Sequence, residues 1–570
     1  MRAERVLEGD GDMGLSSPVK KRRRDGASVP TLLCVLLLGS ATLSCENVVS
    51  RPDDLINVDP GGPNGVPFDS DQPALPGEDL PLSPLARRLT HLEYQWTLED
   101  LFQVTLTQEE QRRVPVDRPL EGFARVASGL TVLEDHVRAY SRNAVSIVAR
   151  IDVSAVAERF AGCDLDELCR DAFVRSVGRQ VYRRPLDTGE SERLVALWDG
   201  VAAEGVGAAV SAAAVLQAML QSPQFLYVML DESTPGRRPL SGYELASRLS
   251  YYLWGSTPDE ALLDAAANES LLTSAGLSVQ VERLLSDEVR SGRGLGRFVV
   301  DWTRLASIPD DDGLRQALTD TTRSFYVSHV TSGAPFFSIL EEPSLVLTGD
   351  LAERYGLVPQ GAQAARYPAE ELGGPRGLLA QPGVIAGMTN ADGGEIVVRG
   401  LFLLKQLFCG DPPDPPEMLQ ELIEEFVRDL PENATEREIA EERLNRANCG
   451  NCHAVFDPMG YAFGRFDERG GRTHAEDTPV DGWIPAALAG GEQLNYQDFE
   501  SFAGLLATQE RVQECMVRHQ MEFALGSRLE ATADPDVIYL ADQLARAEGT
   551  HRDLLVSIIR TAKFTEVQIP

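Results

Sequence analysis

Positive charge is scarce in this chain: 53 lysines and arginines stand against 87 aspartates and glutamates, a formal net charge of −34 over 570 residues. A surface of that sign repels phosphate backbones and anionic headgroups, which argues against nucleic acid and anionic membrane surfaces as partners and favours solubility. Histidine is scarcer still, with 7, and no H-E-x-x-H helix, Ser/His/Asp set or paired catalytic carboxylates can be defended. "SGRGLGR" at 291–297 has no strand before it and does not make a nucleotide loop. Alternating strand patterns are not prominent, no segment repeats at a fixed period, and a long apolar run occurs only near the N-terminus. With 43% hydrophobic and 25% charged residues the chain reads as soluble and globular. Its length calls for roughly three to five packed units.

The early apolar run is informative. In "PVKKRRRDGASVPTLLCVLLLGSATLSC" five basic residues precede an apolar stretch from Val29 to Leu43 that ends in small residues at Cys45. That order is an export signal, and the stretch is too short for a comfortable transmembrane helix. "TLSC" resembles a bacterial lipobox, in which Cys45 is lipidated and becomes the mature N-terminus; Thr42 stands where an aliphatic residue is usual, and cleavage without lipidation is the alternative. The expected location is therefore the periplasm or cell surface, with a lipid anchor in the outer membrane and no transmembrane helix.

Beyond a Pro-, Gly- and Asp-rich tether at 46–82 the pattern is helical, and the expected fold class is mainly α. Thr90 with Glu93, Ser241 with Glu244 and Thr435 with Glu438 have capping-box spacing. "VAAEGVGAAVSAAAVLQAMLQSPQFLY" reads as one helix ending near Pro223, and a Pro/Gly-rich interval at roughly 331–385 reads as a separator. "VVRGLFLLKQLF" gives an amphipathic helix stopped by the extended "DPPDPP", and the helix opened by Thr435 is expected to deliver Cys449 near its end. The expected divisions are an export signal (1–45), the tether (46–82), helical modules over 83–148, 149–210 and 211–340, a motif-bearing module over 341–480 and a C-terminal helical module over 481–570.

The motif is Cys449-Gly-Asn-Cys452-His453. Random placement of 8 cysteines and 7 histidines would produce Cys-x-x-Cys-His about 0.001 times per chain. A c-type haem needs two such thiols for thioether bonds and an adjacent imidazole for iron, and its attachment takes place outside the cytoplasm. A zinc site would need further ligands at finger-like spacing, which do not follow. A Cys449–Cys452 disulfide would leave His453 unexplained. Setting aside Cys34 and Cys45, a haem on Cys449 and Cys452 leaves Cys163, Cys169, Cys409 and Cys515. Cys163 and Cys169 are close enough to bridge a turn, and Cys409 then pairs with Cys515 by elimination. Arg469 and Arg472 are candidates for the haem propionates. Met459 reads as part of a "DPMG" turn, leaving Met388, Met516, Met521, His474 and His519 as distal candidates beside an open, five-coordinate iron.

These residues carry a resemblance. "LARRLTHLEYQWTLEDLF", "CRDAFVRSVGRQVYRRPLDTGESERL" with Arg183-Arg184-Pro185-Leu186, "YELASRLSYYLWGSTPDEALL", "PRGLLAQPGVIAG", Arg399-Gly400, "PPDPP", "NCGNCHAVFDPMGYAFGRFDERGGR" and "FALGSRLE" resemble the planctomycete-type cytochrome-c-like family of exported multi-module proteins. The resemblance covers most of 83–567 and implies that Asp457-Pro458-x-Gly460 and Phe466-Asp467 belong with the motif and that Met459 is structural. Ser527 and the pair Gly464-Arg465 depart from the family pattern. The expected function is extracytoplasmic electron transfer through one covalent haem c, with an unidentified redox partner. The alternatives are a haem-dependent, peroxidase-like oxidoreductase acting on an extracellular substrate, and a non-haem surface binding or scaffold protein with a Cys449–Cys452 disulfide.

Overall fold

Thr90, Ser241 and Thr435 each accept a hydrogen bond from the backbone N–H of the glutamate three residues on, at 3.2, 3.3 and 3.2 Å. Glu93, Glu244 and Glu438 accept in return from the cap N–H at 2.9, 2.7 and 2.8 Å. Satisfying these donors, which have no partner inside the helix, starts helices His91–Phe102, Gly242–Leu253 and Glu436–Asn445 where the capping boxes predict. The computed structural model describes residue 80 and residues 84–569 apart from 118, 121, 309–312, 373, 375–376, 390–394, 417, 472–477 and 531–532. The export signal with Cys45, nearly all of the tether, Arg472 and His474 lie outside the described residues. Twenty-five α-helices occur among the described residues, with eight short strands in four two-stranded antiparallel ladders, so the fold is mainly α. None of the described helices is long and apolar enough to cross a membrane.

Two large apolar clusters organise these helices, with a third, small one of Ile396, Ala440 and Tyr461. Of the two large ones, the smaller is built on Tyr94, Phe173, Trp198 and Phe225; the larger runs from Phe123 through Trp302, Phe463 and Phe523 to Ile569. Helix Gly242–Leu253 lies between them: the Tyr251 hydroxyl meets Thr97 Oγ1 at 3.1 Å, and the Tyr252 hydroxyl accepts from Gln520 Nε2 at 3.1 Å. The last strand, Glu566–Ile569, pairs with Gly236–Pro239 and returns the C-terminus to the middle of the sequence.

A buried ion triad reinforces this junction. Arg87 Nη1 and Arg125 Nε donate to opposite oxygens of Glu93 at 2.7 and 2.9 Å, and Arg125 Nη1 donates to the Phe523 carbonyl at 2.6 Å. Burial by itself would raise the Glu93 carboxyl, but Arg87 and Arg125 beside it outweigh that and hold it at about 2, against an ordinary 4.5. The unfolded chain therefore takes up more protons as pH falls. The triad's stabilisation is present above pH 4.5 and lost as pH falls towards about 2, on the order of 3 kcal/mol. Urea unfolding of wild type and Glu93→Gln should accordingly show a stability difference that is large at neutral pH and shrinks across this window. A difference independent of pH would contradict the assignment.

Three expectations are corrected. The stretch 201–227 is not one helix: Thr188–Ala202 ends before Gly205, which takes φ 77°, and a new helix spans Ala208–Gln221. Pro223 then opens a further short helix, Pro223–Leu226, as its first residue. The interval 331–385 does not separate the core; strands Ser344–Leu347 and Ala365–Pro368 pair, and Leu345, Leu347, Leu351 and Tyr367 are buried in the large cluster. Finally, the helix from Thr435 stops at Asn445, because Arg446 is extended at φ −94°, ψ 121°, so Cys449 does not sit near its end. A separate helix, Ala447–His453, carries the whole motif.

Cys163 is joined to Cys169 and Cys409 to Cys515, the pairings expected from cysteine arithmetic.

Candidate functional site

The motif helix Ala447–His453 follows Glu436–Asn445 so closely that a side chain at Gly450 would lie 2.5 Å from the Leu444 carbonyl oxygen. Glycine is therefore required between the two cysteines. Cys449 and Cys452 are free thiols of intermediate exposure. His453 Nδ1 lies 3.1 Å from each carboxylate oxygen of Asp457, and Arg443 Nε donates to Asp457 Oδ2 at 3.1 Å. Asp457 is fully buried, and these two partners occupy its carboxyl oxygens. An Nδ1 committed to a carboxylate leaves Nε2 as the nitrogen facing a metal, the usual arrangement behind a ligating imidazole. The Phe456 ring sits 5.1 Å from the imidazole.

Asp457 is itself positioned by a close backbone contact. Helix Glu395–Gln406 crosses the short helix Asp457–Gly460. A Cβ on Gly400 would come within 2.3 Å of the Phe456 carbonyl oxygen, and one on Gly460 within 2.2 Å of the Ile396 carbonyl oxygen. Beside Gly400, the buried Arg399 donates to the carbonyls of Phe463, Phe466 and Asp467 at 2.8, 3.1 and 3.1 Å and pairs with Glu395 at 2.8 Å. Asp467 in turn accepts from the N–H groups of Arg469 and Gly471 at 2.9 and 2.6 Å, closing the turn that follows. Arg399-Gly400, Asp457-Pro458-x-Gly460 and Phe466-Asp467 are thus parts of one buttress behind His453.

Profiles of known families match five successive segments, each described as a protein of unknown function: DUF1587 over 87–153, DUF1595 over 169–229, DUF1592 over 240–357, DUF1588 over 375–477 and DUF1585 over 492–564. The chain belongs to the planctomycete cytochrome-c-like multi-module family. The buttress and motif together fall inside the DUF1588 segment of that family. No curated protein and no solved structure matches the chain.

The donor set of this family member fits a covalently attached haem: two unpaired thiols in one helix, followed by an imidazole with one nitrogen already engaged. A buried donor adds to the fit, because Arg443 Nη2 has no hydrogen-bond partner among the described residues and would be satisfied by an anionic edge group. Arg443 was not anticipated from the sequence; its position fourteen residues before Asp457 becomes meaningful only once the helix break at Arg446 folds the two together. Arg469 lies exposed on the turn after Asp467. The distal candidates Met388, Met516, Met521 and His519 are buried in the core, and His519 Nε2 sits 3.4 Å from Cys515 Sγ. Met459 is also buried.

Proposed function

We propose that this protein is an exported c-type haem protein that transfers electrons outside the cytoplasm, with one haem bonded to Cys449 and Cys452 and its iron held by Nε2 of His453. The observation that carries the reading is that Cys449 and Cys452 remain thiols directly before His453, whereas the four other described cysteines are paired. When bound, the haem supplies a one-electron iron couple. The chain's own residues hold and orient the imidazole. Asp457 engages Nδ1 and so turns the opposite nitrogen towards the iron, while Arg443 holds the Asp457 carboxyl in place. The two disulfides are consistent with an oxidising compartment. A lipidated Cys45 would hold the protein at the outer membrane, with the tether giving its helical body reach towards a redox partner.

Cys452→Ser should remove most of the covalent haem, measured by haem staining of the denatured protein; full retention would refute the attachment. The ferric wild type should be low-spin and indifferent to cyanide and peroxide. Rapid peroxide turnover would point instead to a peroxidase-like enzyme.

A further inference from the structure

Among the described residues, an amphipathic helix beside the motif has most of its apolar side uncovered. Leu419–Arg428 places Leu419, Leu422, Ile423, Phe426 and Val427 along one stripe, with Glu421, Glu424, Glu425 and Arg428 on the other face. A helix with this pattern folds in water when the stripe is covered. Here Met418 and Val427 are each 59% exposed, Leu419 43% and Ile423 45%, and only Phe426 is buried.

Both ends of the segment are tied to the site. It leaves from helix Glu395–Gln406, which buttresses Asp457, through the extended prolines of "DPPDPP". At its other end the Arg446 guanidinium lies 5.0 Å from the Phe426 ring, and Arg446 Nη1 is 3.3 Å from Asp429. Arg446 is the residue before the motif helix, three positions ahead of Cys449, so its contact with Phe426 ties the stripe to the start of that helix. The uncovered apolar surface, two free thiols and the part-exposed His453 therefore share one region of the molecule.

The methionines narrow the choice of ligand. Met219, Met388, Met459, Met516 and Met521 are at most 1% exposed, and Met229, at 45%, belongs to a strand paired with Ala86–Arg88. Among the described residues, Met418 is the remaining thioether, and it stands at the start of the uncovered stripe.

We propose, on the haem reading above, that the stripe of Leu419–Arg428 packs over the haem face opposite His453 and that Met418 is the sixth iron ligand. The porphyrin would cover Leu419, Ile423 and Val427, and the helix would exclude water from the iron. A thioether ligand and a dry face both favour the reduced state and raise the potential.

The test uses the full chain matured with covalent haem, with haem content measured first by pyridine haemochrome. The ferric wild type should show the weak far-red charge-transfer band of thioether-ligated iron. Met418→Ala should keep its covalent haem, lose that band, bind cyanide and show a lower potential. Met418→His should restore a low-spin spectrum of the bis-imidazole type. A wild type with covalent haem but no thioether band, or a Met418→Ala protein with band and potential unchanged, would overturn the ligand assignment alone. A wild type without covalent haem would overturn the haem reading itself.

Discussion

Gly460→Val should destabilise the protein by about 3 kcal/mol or more, at the upper end of what forced overpacking costs. Even the first carbon of a side chain at this position would lie 2.2 Å from the Ile396 carbonyl oxygen. The obstacle is backbone, which cannot rotate away as the tip of a side chain can. Relief requires helix Glu395–Gln406 to move off Asp457–Gly460, and that movement would release the carboxylate that orients His453. Gly400 meets the Phe456 carbonyl in the reciprocal way at 2.3 Å, so Gly400→Val should have a similar effect. Gly200 is a suitable control: it lies in helix Thr188–Ala202 with nothing near the added carbon. Gly200→Ala should leave stability unchanged or raise it by up to about 1 kcal/mol. Urea unfolding compares the three variants; equal midpoints for Gly460→Val and wild type would show that the two helices are not held by this contact.

Arg399→Leu should cost about 3–5 kcal/mol, the usual penalty for removing one member of a buried charged network. The guanidinium serves three carbonyls, those of Phe463, Phe466 and Asp467, and Glu395 besides. Leucine would leave all of them without that donor. Arg399→Lys should recover little of the loss, because one ammonium cannot reproduce the planar fork across separate acceptors. The loss should be local at first, with faster amide exchange over 463–471 than in helix Gly242–Leu253. A lysine variant as stable as wild type would mean that charge near Glu395, and not the geometry of the fork, is what the position requires.

The local rules were legible because they act within a few residues. Three capping boxes open helices at the residues their spacing names, since a side-chain oxygen and an N–H three residues on are already neighbours. The disulfide Cys409–Cys515 came from the parity of the cysteines, although the partners are 106 residues apart. What the sequence concealed depends on tertiary contact. The proline- and glycine-rich look of 331–385 suggested a separator, yet Leu345, Leu347 and Tyr367 fill the core because two short strands pair there. Arg446 breaks the helix before the motif although nothing in "RLNRANC" prohibits helix; the close approach of Gly450 to Leu444 accompanies the break. Arg399-Gly400 and Asp457-Pro458-x-Gly460 could be matched to a family, but that they face each other across a backbone contact is visible only in the fold. Met418 stands among acidic and proline-rich neighbours that carry no ligand signal, and its significance rests on the exposure of the stripe it begins.

The pyridine haemochrome spectrum of the full chain, produced from residue 1 in a host that attaches c-type haem outside its cytoplasm and taken after denaturation and acid–acetone extraction, tests the central claim most directly. One c-type haem per chain, resistant to extraction, is the predicted result. A protein that is folded, with Cys163–Cys169 and Cys409–Cys515 intact, and carries no covalent haem would contradict it.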